Sequence, residues 1–201
     1  MLLSSTDSKY TSQLHPFNWR GWWDYGTGAL GDVGCHLIDI PYRTLGLKYP
    51  KDAECSVGTV YSGMFTQAYI PEGCPPSSFT TLHFDGTEKS KSPAVEMTWS
   101  DGGIRPSHPE IIPANDDIGG PGSGNGVLMI GEKGIISTNI NDSEPLMPKL
   151  YLNDGITEFG SEIEPNGEPE YGHQRKWIDA CKAGFQSFEH QELTSSFDYA
   201  G

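Results

Sequence analysis

The chain predicts an α+β domain, a large, mostly antiparallel, open β-sheet with helices packed on one face. Three features of its 201 residues carry that expectation. Residues 28–45 hold an apolar stripe at helical spacing, residues 54–152 break into alternating or β-branched runs separated by turns, and helical periodicity returns at 170–182. Helices at the two ends of a strand-rich segment cover one face of a sheet, so the other face needs a partner.

Residues 1–18 are polar and irregular and read as a connecting arm; residues 19–201 form the domain. Trp19, Trp22, Trp23 and Tyr25 fall within seven residues. Such a cluster is either a hydrophobic plug under the following helix or a platform on which a sugar ring stacks, and at least two of the four are expected in the plug. In the helix, Leu30, Val33, Leu37 and Ile40 face the core, while Asp32, His36, Asp39 and Arg43 form a polar stripe rotated by roughly 100°. Gly31 and Gly34 leave a third side where another backbone can come close. Pro41 is expected to kink the helix by removing the bond to the Leu37 carbonyl, and Gly46 to stop it.

Strands are expected near 54–61, 78–85, 93–100, 126–131, 134–139 and 148–152, with Val95, Met97 and Trp99 on one face. Gly131-Glu132-Lys133-Gly134 reads as a hairpin turn. Two long loops lie between the strands, 63–77 and 102–125, the second a mobile surface segment or a lid. Asp154, Glu158, Glu162, Glu164, Glu168 and Glu170 read as a solvated acidic connection. The final helix should pack through Trp177, Ile178 and Cys181 and stop at Gly184, with His173 near its start, on the surface or reaching a pocket.

Charge excludes several classes of partner. Against 13 Lys and Arg stand 27 Asp and Glu, a formal net charge of −14, which repels nucleic acids and anionic membrane surfaces. No apolar run approaches the roughly 20 residues of a membrane span. Met1-Leu2-Leu3-Ser4-Ser5 lacks the basic and hydrophobic segments of an export signal. A soluble chain is expected, cytoplasmic or, with a leader outside this sequence, periplasmic. Cys35, Cys55, Cys74 and Cys181 are widely spaced, which favours buried, reduced thiols over a zinc site or a disulfide framework.

Asp32 and His36 carry the clearest chemistry. Residues four apart on a helix are neighbours, so the carboxylate can orient the imidazole and favour its protonated form, as general acid–base catalysis requires. A structural hydrogen bond on a wet helix face uses the same spacing. Gly26-Thr27-Gly28-Ala29-Leu30-Gly31 matches Gly-x-Gly-x-x-Gly, with Asp52 and Glu54 following, yet it fails as a dinucleotide fingerprint. The segment before it is not strand-like, Asp32 would meet the pyrophosphate, and the acids open the next strand instead of ending it. No cofactor-binding or metal-binding residue is assigned, and no Rossmann domain is expected in this chain.

The run Gly28-Ala29-Leu30-Gly31-Asp32-Val33-Gly34-Cys35-His36-Leu37-Ile38-Asp39, preceded by His15-Pro16-Phe17-Asn18-Trp19-Arg20-Gly21-Trp22-Trp23-Asp24-Tyr25, resembles the C-terminal domain of the glucose-fructose oxidoreductase, inositol dehydrogenase and MocA family. The branch it most resembles is common in bacteria that process plant and host glycans. Further matches are Ser100-Asp101-Gly102-Gly103-Ile104-Arg105-Pro106, Asn125-Gly126-Val127-Leu128-Met129-Ile130-Gly131-Glu132-Lys133-Gly134 and His173-Gln174-Arg175-Lys176-Trp177-Ile178-Asp179-Ala180. The resemblance implies a sugar or polyol dehydrogenase using NAD or NADP, with a nucleotide-binding domain followed by a substrate and oligomerisation domain.

On that footing Asp32 and His36 match the pair that helps remove a hydroxyl proton during hydride transfer. Trp19, Arg20, Trp23 and His173 are the substrate-lining candidates, and the open sheet face joins subunits into a homo-oligomer. The family's lysine belongs to a Glu-Lys-Pro motif in the nucleotide-binding domain, and no Glu-Lys-Pro occurs here. The resemblance therefore implies a domain cut at both ends and inactive alone, its cofactor held mainly by the missing domain. Three readings stay open: that domain, in a dehydrogenase or in a related redox-neutral glycosidase that holds NAD; a non-catalytic carbohydrate-binding or assembly module; and a metal site of Asp32, His36 and either His173 or His15.

Overall fold

The computed structural model describes residues 12, 17–68, 70–116, 118, 125–139, 148–155, 157–159 and 171–187. It is an α+β fold with open, antiparallel sheets, as predicted, and its strands are divided among three sheets. The chain runs through α1 (Gly28–Leu37), α2 (Asp39–Leu45), β1 (Asp52–Val57), β2 (Tyr61–Gly63), β3 (Thr66–Gln67), β4 (Ser78–Asp85), β5 (Ala94–Ser100), β6 (Gly126–Gly131), β7 (Gly134–Asn139), β8 (Lys149–Leu152), β9 (Thr157–Phe159) and α3 (Gly172–Ala183). One sheet has the order β1-β4-β5, a second is the β2-β3 hairpin, and the third runs β6-β7-β8-β9. The division starts where the expected strand over 54–61 splits. Gly58 N–H donates to Ser77 O (2.8 Å), ending the β1 ladder, and Val60 O then accepts from Ala68 N–H (2.8 Å), so the chain pairs with itself.

The predicted helix over 28–45 is two helices broken at Ile38. Pro41 supplies the reason, since it has no N–H to give the Leu37 carbonyl. Leu37 and Pro41 are buried, Leu30, Val33 and Ile40 half-buried, and Asp32, His36 and Arg43 exposed, so the two stripes lie as expected. α2 ends at Gly46 in the left-handed region (φ 65°). The turn between β4 and β5 caps it: Thr87 Oγ1 donates to Leu45 O, and Lys89 Nζ to Arg43 O (3.4 Å).

In the first sheet, Phe84 and Trp99 are buried on one face, together with Thr80, and Val95 and Met97 share it half-buried. On the other face the register aligns Asp52, His83 and Glu96 across three strands. His83 Nδ1 lies 2.5 Å from Asp52 Oδ1, and this hydrogen bond, more than the nearby carboxylate charges, raises the imidazole pKa. Asp101 closes the open end of the sheet. Its carboxylate accepts from Ser78 N–H (2.5 Å), Ser78 Oγ (2.8 Å) and the Trp99 indole N–H (2.8 Å). Gly102 follows at φ 62°, in a corner where a Cβ would collide with the Pro76 carbonyl and Ser77.

The third sheet packs Ile112, Ile135 and Tyr151 together, with Ile118 and Leu128 against them. Tyr151 OH donates to Asp116 Oδ2 (2.8 Å), and Lys149 Nζ lies 3.5 Å from the same oxygen. His108 spans the carbonyls of Pro109 and Asp116, 3.1 Å from each. The described part of the predicted loop over 102–125 is thereby anchored to β8. Burial first, then the Asp116 hydrogen bond, pushes Tyr151 up to about 12, and that bond is also the main cause that holds Asp116 below the usual carboxylate range.

Two expectations need correction. Trp177, Ile178 and Cys181 are exposed on α3, whose described buried residues are Gly172 and Ala180. The covered side of the helix thus carries small residues, and the large side chains lie on the side open to solvent. The four cysteines form no disulfide with one another, and against the expectation of burial Cys35, Cys55 and Cys181 are exposed and Cys74 is half-buried. Cys55 lies on β1, an edge strand with every residue exposed, and Cys35 on the wet side of α1. Most of the acidic connection over 153–170 lies outside the described residues.

Asp101→Ala should lower stability by about 3 kcal/mol in urea unfolding, because it strips the Ser78 and Trp99 N–H groups of their acceptor. Tyr151→Phe should flatten both limbs of the pH–stability curve. Asp116, its folded pKa depressed, contributes stability that is present above its ordinary value of 3.8 and lost as pH falls through the folded value. Tyr151, its pKa raised, contributes stability that is present below 10.0 and lost as pH rises through about 12. Urea midpoints at acid and alkaline pH measure both limbs.

Candidate functional site

The aromatic cluster is positioned by main-chain bonds. A 3-10 helix (Asn18–Gly21) precedes it. Trp22 then forms a lone antiparallel bridge with Gly73, Cys74 N–H donates to Gly21 O (2.8 Å), and Trp23 N–H donates to Glu72 O (2.9 Å). Trp22 O next accepts from both Tyr25 N–H (2.9 Å) and Gly26 N–H (2.8 Å), reversing the chain. A Cβ at Gly26 would stand 2.5 Å from Arg20 Cα, so this reversal needs glycine there. The close backbone approach thus occurs at Gly26 instead of the expected Gly31 and Gly34, which lie against the side chains of Thr27 and Leu30.

The reversal brings Arg20 to Asp32. The Arg20 guanidinium donates to the Asp32 carboxylate, and its carbon stands 3.6 Å from the centroid of the Phe17 ring. Asp32 and His36 sit one turn apart on the exposed side of α1, but no hydrogen bond joins them among the described residues. A permanently charged guanidinium fork is the stronger partner for a carboxylate than an imidazole. Cys35 Sγ donates to the Asp32 carbonyl (3.5 Å).

Trp19 and Trp23 are 53% and 49% exposed, Tyr25 is exposed and Trp22 is half-buried. One ring of the four fits a plug, not the expected two, because main-chain bonds from 72–74 fill the inner side of this segment. The structure brings Arg20 and Asp32 together, leaves Trp19 and Trp23 exposed on the segment that carries Arg20, and leaves His36 one helical turn beyond Asp32, exposed. His173 lies in the first turn of α3, and its side chain is outside the described residues, as is His15.

Phe17 and residues 72–74 complete this region and were not singled out from the sequence as site residues. Cys74 Sγ lies 3.8 Å from Arg20 O, and burial pushes its thiol pKa up. No local spacing ties 72–74 to 21–23; the link is made by pairing across some fifty residues of chain.

The glycine run does not fit a dinucleotide. Gly26 is filled by Arg20 backbone, Gly28 by Cys74, and Gly31 by Thr27, and the element before them is a 3-10 helix instead of a strand. Among the described residues no group of three or more His, Cys, Asp and Glu side chains is placed to hold a metal ion. No described helix is long and apolar enough to cross a membrane. What the described surface offers is two exposed indole rings on the segment of Arg20, a guanidinium that donates hydrogen bonds and a carboxylate that accepts them. Comparison with protein-family models gives no match, and no curated protein is significantly similar to the chain.

A double-mutant cycle of Arg20→Ala and Asp32→Ala should give a coupling of about 1 kcal/mol or less, since both side chains are partly exposed. Arg20→Lys should not restore it, because an ammonium loses the planar stack on Phe17.

Proposed function

We propose that this chain is the substrate-binding and oligomerisation domain of an NAD- or NADP-dependent sugar or polyol oxidoreductase similar to the glucose-fructose oxidoreductase, inositol dehydrogenase and MocA family. The observation that carries the reading is the Arg20–Asp32 pair, with the exposed rings of Trp19 and Trp23 on the same short segment as Arg20. The rings stack on the C–H faces of a sugar, Arg20 donates to its oxygens, and Asp32 accepts from its hydroxyls. His36, exposed one turn along α1, takes or returns the proton of the reacting hydroxyl, help worth roughly 10²–10⁴ in rate. His173 stays a lining candidate from the family resemblance. The hydride acceptor belongs to a nucleotide-binding domain, since the residues of this chain do not fit it. A second copy covers the open face of the β1-β4-β5 sheet.

A second reading, a carbohydrate-binding module without catalysis, is favoured by one detail. The Asp32 carboxylate is held by Arg20, which leaves His36 without an orienting partner among the described residues.

Titration of the chain with sugars and polyols, followed by tryptophan fluorescence, tests the binding surface. Trp23→Ala should weaken the observed binding about tenfold, the loss of one stacking contact. A spectrum unchanged by every sugar and polyol would reject both readings. In an enzyme that includes the nucleotide-binding domain, His36→Gln should lower kcat by roughly 10²–10⁴ with little change in KM. Unchanged turnover there would leave the binding module.

A further inference from the structure

Among the described residues, β2 and β3 pair with each other and with no third strand. Tyr61 faces Gln67, Gly63 faces Thr66, and the two-residue tip is Met64-Phe65. All five residues of the two strands are exposed. At the tip, Met64 is 87% and Phe65 92% exposed, and Phe65 takes a left-handed backbone conformation (φ 59°). Val57, Val60, Tyr61 and Ile70, on either side, are exposed as well. A two-stranded hairpin is marginal in water without a surface to pack on. This one leaves its largest apolar side chains, Met64 and Phe65, almost wholly uncovered by the described residues.

We propose that the β2-β3 hairpin is a self-association arm, which lays Met64 and Phe65 against the same hairpin and the edge strand β1 of a second copy of this chain. Charge argues for that occupant. Residues 55–71 contain no charged side chain, although the chain carries a net charge of −14. Two such chains repel each other over most of their surfaces and can meet where charge is missing, whereas a basic partner would be drawn to acidic residues that this stretch lacks. Area agrees. Val57, Val60, Tyr61, Met64, Phe65 and Ile70 together expose on the order of 800 Å², the share one partner gives to an interface of standard size. A contact of one patch with its own copy closes as a two-fold dimer and does not extend into a fibre. It is distinct from the covered sheet face and does not depend on sugar binding.

Sedimentation of the unmodified chain across a range of micromolar concentrations should show a monomer–dimer equilibrium. Met64→Glu with Phe65→Glu should weaken association at least 100-fold, while Met64→Leu with Phe65→Leu should keep it. Hydrogen exchange in the unmodified chain provides a readout that needs no variant: the amides of β2 and β3 should exchange more slowly as concentration rises. A chain that stays monomeric throughout would overturn the proposal and leave the hairpin to a different protein or to another part of a longer polypeptide. So would a dimer whose hairpin amides exchange at a rate independent of concentration and whose affinity the two glutamates leave unchanged, the result of association through the open sheet face alone.

Discussion

The carboxylate of Asp101 accepts from the N–H and the hydroxyl of Ser78 and from the indole of Trp99, so one side chain fixes the first residue of β4 and the buried end of β5 together. Charge-assisted bonds of this kind are roughly twice as strong as neutral ones. Ser78 is four residues beyond Cys74, and the stretch over 72–74 holds the aromatic segment by two main-chain hydrogen bonds, which form the Trp22–Gly73 bridge. Once that segment is held and reversed at Gly26, Arg20 has its reach to Asp32. The surface proposed to bind a sugar is therefore built on a sheet corner remote from it in sequence, through a run of contacts each fixed by the one before.

What could be read from the sequence was local. The apolar period over 28–45, the missing N–H of Pro41 and the left-handed stop at Gly46 are properties of single turns, and the structure places the helices, their break and their end accordingly. The strands at 78–85, 126–131 and 134–139 were legible because their alternation and the Gly131–Gly134 turn need no knowledge of distant residues. The rest depended on long-range pairing. β2 and β3 are too short and too irregular, with a register shift between Tyr61 and Gly63, to give a periodic signal inside a predicted loop. The Asp116–Tyr151 bond joins residues 35 apart, and the Arg20–Asp32 bond joins two that each suggested chemistry for a different reason. For α3 the period was visible but its phase was not, because Ala180 packs where a larger residue was expected to.

The Arg20–Asp32 pair also sets terms for any chemistry at His36. One carboxylate serves the guanidinium, so among the described residues the imidazole one turn away has no carboxylate to orient it. Arg20 itself is confined between the Phe17 ring and the carboxylate, which spares a ligand part of the entropic cost of fixing a long side chain. On a protein of net charge −14 an anion has to cross an unfavourable field to reach Arg20, which is consistent with the neutral ligand proposed for this surface.

The interruption at Ile38 gives the first helical region two separate moorings. α2 is tied by Thr87 and Lys89 to the turn at the far end of the β4-β5 hairpin, whereas α1 is tied by Asp32 to the aromatic segment. A straight helix would transmit every displacement of one end to the other as a rigid rod. At the break Ile38 keeps helical dihedral angles (φ −69°, ψ −30°), and its N–H and carbonyl bond Gly34 O and Tyr42 N–H, so the two moorings are linked through a single residue.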